Sequence, residues 1–321
     1  MVTRRNRLTK GDRQMAVPDL GVFLPSMSDP TEAPGDIAAA ARHAEDLGLE
    51  SVWVVDQLIA GTGSPLLDSA IALAAAAAVT TRVQLGFGVL ILPLRPVAWV
   101  AKQVASLQHI SGDRVILGIG AGGDRHDGSW IAAGVPRQER GRRTDDALRV
   151  LPPLIAGKQV RLDDSSSSAI ELAPGATVPP ILVGGMSEAA MRRAVEHGDG
   201  WFLLPVPPNA VADARARIAD VAATDGRAMP SITAGMLTAI DGDPHIPGHD
   251  ALVHRLTDPD GMYGMPEDAV STMLVRGGPE RVATRIAELG DQGADRVVVS
   301  VAAGDWYRQV ELLADARSLA A

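Results

Sequence analysis

"RVILGIGAGGDRHDG", Arg114–Gly128, is the stretch on which the reading of the fold turns. A branched apolar run passes into a glycine cluster, and Gly118, Gly120 and Gly123 satisfy G-x-G-x-x-G, the signature of a dinucleotide-binding crossover. That signature normally opens the first strand–helix unit of its domain, and a strand ending in Asp or Glu comes about 20 residues later. Here three strand–helix units precede Arg114, and the segment after the glycines, "RQERGRRTDDALRVLPPLI" (Arg137–Ile155), reads as helix. The glycines therefore read as the carboxyl end of a barrel strand, where missing Cβ atoms let a large planar ligand approach the backbone.

Working outward, eight apolar segments recur: "DLGVFLP" (Asp19–Pro25), "SVWVVD" (Ser51–Asp56), "VQLGFGVLIL" (Val83–Leu92) and "RVILGIG" (Arg114–Gly120), then "PPILVGG" (Pro179–Gly185), "GDGWFLL" (Gly198–Leu204), "SITAGMLTAI" (Ser231–Ile240) and "ADRVVVSVAA" (Ala294–Ala303). Continuous rather than alternating apolar runs indicate strands covered on both faces, hence a parallel sheet. Helical stretches separate them. One starts after Pro34-Gly35 and stops at Gly48, one starts at Ser187 as N-cap and stops at Gly198, and one carries Pro279 in its first turn. Eight alternations without a Pro/Ser-rich linker predict an α/β chain folded as a single (β/α)8 TIM barrel over 17–321. Insertions are expected after strands 4 and 7, at 124–178 and 241–278, the first holding an exposed turn "DDSSSS" (Asp163–Ser168) and the second rich in loop.

Of 321 residues 46% are hydrophobic but only 3% aromatic, which points to a core of small aliphatic side chains. The absence of Cys excludes disulfides, thiolate nucleophiles, iron–sulfur clusters and cysteine-ligated zinc, and suits a cytoplasmic enzyme. Residues 1–16 read as a disordered basic tail, with Met15 opening the folded part and no apolar segment of a signal peptide. Arg4, Arg5, Arg7, Lys10 and Arg13 against Asp12 give that tail +4, so the net charge of −9 leaves −13 on the rest (−9 minus +4), which argues against nucleic acid as a partner. The longest Ala/Leu run, Ala70–Val79, is about half of what a membrane span needs.

The order and spacing of several blocks resemble the luciferase-like family of flavin- and deazaflavin-dependent oxidoreductases. These are "GVFLP", "AEDLGLESVWVVD", the long passage Thr80–Gly122, "ERGRRTDDAL" (Glu139–Leu148), "PPILVGGMSEAAMRRAVEHGDGWF" and "GGPERVATRIAELGDQGADRVVV". The resemblance implies a non-prolyl cis peptide in a strand-3 bulge that supports the cofactor ring, here Gly88-Val89, with Gly120, Ala121 and Gly122 lining the next strand end. An ordinary glycine bulge is the alternative. Two glycines and a serine between a strand and a helix start form an anion site without any Lys. The resemblance makes Gly184, Gly185, Met186, Ser187, Gly200 and Trp201 the cofactor-phosphate candidates, against a plain turn with an N-cap.

Asp56 keeps an acidic position that relatives share and is a further cofactor-side candidate, but Gln57 stands where many of them carry His. Gly123, beside Asp124, stands where alcohol-oxidising relatives carry Glu. Gln cannot shuttle a proton and Gly can do nothing polar, so reduction of an activated double bond fits better than alcohol oxidation. Gln57, Asp124 and His126 are the catalytic candidates; the other histidines read as structural, and no metal site is expected. Met27, Phe87, Trp130, Trp201, Met262 and Tyr263 wall an apolar pocket or are plain core.

The expectation is an oxidoreductase that passes a hydride from reduced F420 to a small-molecule or peptide-derived substrate, with a flavin or F420 reductase as supplier and a possible homodimer. The alternatives are an FMN- and O2-dependent monooxygenase, a non-catalytic flavin-binding barrel, and an NAD dehydrogenase resting on the lone glycine fingerprint.

Overall fold

Runs of Val, Ile and Leu bury best as strands sandwiched between other layers, and the computed structural model places all eight apolar segments in one parallel sheet. It describes residues 17–60, 63–123, 127–162, 168–259 and 264–320. The strands are β1 (Asp19–Phe23), β2 (Ser51–Val54), β3 (Gln84–Phe87), β4 (Leu90–Ile91), β5 (Val115–Gly120), β6 (Ile181–Gly184), β7 (Gly200–Leu203), β8 (Ser231–Ile240), β9 (Leu274–Gly277) and β10 (Arg296–Val301). The order β1-β2-β3-β5-β6-β7-β8-β10 closes on itself because β10 pairs with both β8 and β1. The helices are α1 (Ile37–Asp46), α2 (Ser69–Val79), α3 (Val97–Ser111), α4 (Gly128–Ala133), α5 (Arg140–Ile155), α6 (Glu188–His197), α7 (Pro208–Thr224), α8 (His249–Thr257), α9 (Glu267–Met273), α10 (Pro279–Asp291) and α11 (Trp306–Ala320).

Caps fall where the sequence puts them. Asp36 accepts from the Ala39 amide (3.0 Å) to start α1, and Ser187 accepts from the Ala190 amide (3.2 Å) to start α6. The 124–178 insertion holds α4, α5 and an antiparallel bridge Val160–Ile170; the start of the expected "DDSSSS" turn, 163–167, lies outside the described residues, as does the basic tail 1–16. The 241–278 insertion corrects the expectation of a loop, since it builds α8, α9 and β9. Leu237 and Thr238 of β8 pair with β10 on one edge and β9 on the other, so β9 stands on the β7 side. It lies beyond the last β7 pairing, Leu203–Ala234, and raises the barrel wall there.

Alternate residues of each strand face the barrel interior. Trp53, Ile116, Leu182, Phe202 and Val298, with Phe23 and Val89 above them, form this inner cluster, separate from the larger shell between strands and helices. Trp53 is the stopper. A Cβ on Gly86 would lie 2.2 Å from its ring and one on Gly21 2.6 Å from Nε1, so both positions are glycine to admit the indole. Its Nε1 donates to Ser51 Oγ (2.8 Å), and its ring meets Phe202 edge-on at 5.3 Å. Beneath, Arg296 sits 5.9 Å from the indole centroid and donates to Gln84 Oε1 (2.9 Å), filling the amino end. Only the carboxyl end is left as a mouth.

On the shell, buried Glu45 at the end of α1 accepts from the amides of Thr81, Arg82 and Val83 and so aims the chain into β3. Burial alone would raise its pKa, but the three N–H donors outweigh that and hold it below the usual glutamate range. Among the described residues no helix is long and apolar enough to cross a membrane.

Two substitutions probe this packing. Gly86→Ala is expected to cost about 3 kcal/mol by overpacking against Trp53, and well under half of that in a Trp53→Leu background, as read by urea unfolding. Glu45→Gln is expected to destabilise at pH 7; because the folded pKa is depressed, the gap to the parent narrows as pH falls below about 4.3, the unfolded value, and closes below the folded one.

Candidate active site

Strand β3 stops at Phe87, the Gly88–Val89 peptide is cis, and the chain resumes as β4 beside β5. The half-buried Val89 side chain leans over the neighbouring strand ends. A Cβ on Gly118 or Gly120 would come within 2.9 or 2.7 Å of its methyls, and one on Gly184 within 3.0 Å of both. Gly120 and Gly184 are thus the seat of one valine, while Gly118 makes room first for the Phe87 carbonyl oxygen, 2.0 Å from where its Cβ would be, and then for the same valine. Gly88 is glycine because Phe23 stands 2.6 Å from where its Cβ would be.

Asp56 holds this bulge in place. Its carboxylate accepts four hydrogen bonds: from Ser69 Oγ (2.7 Å), the Ile91 amide (2.9 Å), and Arg95 Nη1 (2.7 Å) and Nη2 (2.6 Å). Burial works against the Arg95 charge, but Asp56 outweighs it and keeps that guanidinium firmly protonated. With four hydrogen bonds accepted by its carboxylate, Asp56 is a bolt joining β2, α2 and β4.

The loops after β2 and β5 clasp each other. Ser129 Oγ accepts from the Ile59 amide (3.0 Å) and donates to its carbonyl (3.2 Å). Gly122, at φ +83°, leaves room for buried Trp130, 2.6 Å from where a Cβ would be, while Ala121 is half-buried and Gly123 open. Gln57 is exposed on this rim, with Leu58, Met186 and Leu204 also exposed around the mouth. Asp124 and His126 lie outside the described residues, as do Met262 and Tyr263.

After β6, Gly185 takes φ +120°, which a side chain would strain, and Ser187 caps α6. The first-turn amides of a helix lie at the positive end of its dipole, and in α6 that end stands at this turn. The indole of Trp201 is buried in the shell and its Nε1 donates to the Gly185 carbonyl (2.7 Å), bracing the turn from behind. Gly200 begins β7, in register with Leu182 and Ser231, and a Cβ there would meet both side chains at 2.5 Å, far below the mouth. Phe87 likewise belongs to the outer shell, and Trp130 packs on Gly122.

What the sequence did not flag is a cavity of about 320 Å³ at the ends of β1, β2 and β10. Phe23, Val55 and Ser300 line its floor; Met27 and Ser26 line one side, Arg255 of α8 another, and Trp306 closes it while donating to the Phe23 carbonyl (2.9 Å). A serine-bearing loop after strand 1 was the available signal, since barrels place their chemistry at that end. Nearby, buried Asp243 accepts from the amides of His245 (2.9 Å) and Asp305 (2.7 Å) and from Gln309 (3.2 Å), tying the second insertion to the turn before α11. Burial would raise its pKa, yet these donors hold it below the usual aspartate range. Among the described residues no three His, Asp or Glu side chains gather as metal ligands.

A family model described as luciferase-like monooxygenase matches residues 18–245. The chain is 39% identical over 143 residues to an uncharacterised Mycobacterium tuberculosis protein (44% of this chain, 49% of that one). It is 34% identical over 177 residues to an F420-dependent glucose-6-phosphate dehydrogenase of Beutenbergia cavernae (53% and 52%). It spans about half the length of the curated relatives it matches. An F420-dependent secondary alcohol dehydrogenase, solved with an F420–acetone adduct, superposes with a TM-score of 0.76 at 16% identity over 95% of this chain and all of that one, which shows the shared fold.

Asp56→Asn is expected to lower the unfolding free energy by about 3 kcal/mol, because Arg95, mostly buried, loses the nearer of its two counter-charges and keeps only Asp68 at 3.7 Å; denaturant unfolding at constant m-value checks it.

Proposed function

This chain belongs to the luciferase-like monooxygenase family, and on that footing we propose that it is an F420-dependent oxidoreductase that reduces an activated double bond of a small-molecule or peptide-derived substrate. The observation that carries the reading is the Val89 seat: an apolar side chain set on Gly120 and Gly184 at the open end of a barrel stoppered below by Trp53. A flat ring system fits against such a face, and its anionic tail fits the Gly184–Ser187 turn, where the positive end of capped α6 stands. Gly120, Ala121 and Gly122 would border the ring, and Met186 would cover it from the rim.

When bound, a reduced deazaflavin supplies a hydride, and a reduced flavin supplies either a hydride or activation of O2. The substrate's double bond gains a hydride at one end and a proton at the other, a two-electron reduction balanced by two-electron oxidation of the cofactor. Oxidising an alcohol needs a base for the hydroxyl proton. Asp56, the carboxylate beside the bulge, has all its acceptor capacity taken by Ser69, Ile91 and Arg95, and Gln57 is no base. Reduction asks only for a weak acid, for which solvent, Asp124 or His126 serves. A reductase that keeps the cofactor reduced and a second copy of the chain are the partners this reading brings. The second reading, an FMN-dependent monooxygenase, is favoured by the family's own description.

Fluorescence titration decides between them: F420 is expected to bind in the micromolar range and FMN at least about tenfold more weakly. The reverse order selects the monooxygenase, and binding of neither overturns both. Gly184→Val is expected to push Val89 into the mouth and weaken cofactor binding about tenfold or more, with the thermal midpoint nearly kept; unchanged affinity refutes the seat.

A further inference from the structure

Two of the three phenylalanines in this chain, Phe23 and Phe202, stand against one residue, Gly88. Cε1 and Cζ of Phe23 lie 2.6 and 2.7 Å from where a Cβ of Gly88 would be, and Cε1 of Phe202 lies at 3.4 Å. Phe202 in turn meets the buried indole of Trp53 edge-on at 5.3 Å, and Phe23 packs on the same inner cluster. The main chain of Phe23 is held on two sides. It pairs with Trp53 of β2, and its carbonyl accepts from Trp306 Nε1 (2.9 Å). The phenyl is thus gripped between the inner cluster and Gly88, with its remaining side on the cavity floor. Packed interiors yield little to compression, so the rings form a support of fixed size under Gly88.

The main chain of the bulge is anchored at its two ends. The Gly88 amide donates to the Val54 carbonyl (2.8 Å), and Asp56 holds the Ile91 amide (2.9 Å). Between those anchors, the contact of Gly88 with the Phe23 ring decides how far the main chain at Val89 stands above the barrel interior. We propose that Phe23 is a positioning residue: acting through Gly88, it sets the height of Val89 and with it the depth at which the cofactor ring lies. The proposal rests on the cofactor reading above and adds to it the side chain that adjusts the platform. The adjustment matters because a misplacement of about 1 Å costs up to about a hundredfold in a reaction that needs aligned partners.

A double-mutant cycle on the full chain tests this, read by fluorescence titration with F420 and with FMN and by thermal midpoints. Gly88→Ala sets a methyl against the phenyl, lifts the bulge, and is expected to weaken binding of whichever cofactor the parent takes about tenfold or more. Phe23→Leu removes the two ring atoms that stand there and is expected to weaken it about fivefold as the bulge sinks. With both changes together the methyl fills the vacated space, and affinity is expected to return to within about threefold of the parent. Ile116→Val shortens a side chain of the same cluster that is in register with Gly86; it is expected to lower the midpoint and leave cofactor affinity unchanged. A merely structural Phe23 would give losses that add in the double variant, or an affinity that falls with the midpoint in Ile116→Val too; either result overturns the proposal. If Phe23→Leu fails to fold, Phe23→Met takes its place in the cycle and is read the same way. A parent that binds neither cofactor, with midpoints that still recover in the double variant, faults the cofactor reading alone. A parent that binds one, with losses that add, faults this proposal alone.

Discussion

The indole of Trp53 occupies space that side chains at positions 21 and 86 would otherwise claim, and much of the molecule is arranged around it. Gly21 and Gly86 yield their Cβ positions to it, Ser51 satisfies its N–H, and Arg296 and Gln84 fill the end beneath it. A parallel barrel whose interior is this full at one end has a single face where backbone and side chains can meet a ligand. The chain carries few aromatic residues, and one of its five tryptophans stands at the axis of the barrel.

Above the stopper, the geometry is fixed by charge and by volume. The Asp56–Arg95 pair, with Ser69 and the Ile91 amide, anchors the chain after the bulge, so Val89 has a defined place to stand. Gly120 and Gly184 beneath it set how deep its side chain sits. A buried, fully paired ion pair is weak evidence for stability as such, but it fixes one arrangement among several, and here it fixes the arrangement of the mouth.

The eight barrel strands were legible because burial on both faces leaves continuous apolar runs, and helix starts were legible because Pro34-Gly35, Ser187 and Pro279 act within one turn. The position of the bulge at Gly88-Val89 came from resemblance, not from periodicity. Direction was harder to read. Trp201 and Gly200 came as candidates from the resemblance, which carries neither strand parity nor register: Trp201 faces outward and Gly200 stands at the far end. Asp56 came from the same resemblance; only the partners Ser69 and Arg95, 13 and 39 residues away, show its carboxylate saturated. Strand β9 is four residues long and half-buried, which leaves no pattern to detect. Of the cavity only Met27 and the serine-bearing loop after strand 1 were in view, since Arg255 joins them only when the barrel closes.

That closure has a consequence for synthesis. The cavity's walls come from the segment after β1 and the segment after β10, and Trp306 ties the two by its bond to Phe23. A growing polypeptide therefore assembles the valine platform and the turn before α6 while β10 and α11 are still to be made. Throughout that interval the seam between β8 and β1 is open, with unpaired main-chain edges on both sides. The pocket is then the last feature to appear, and its presence reports that the final strand has found its place.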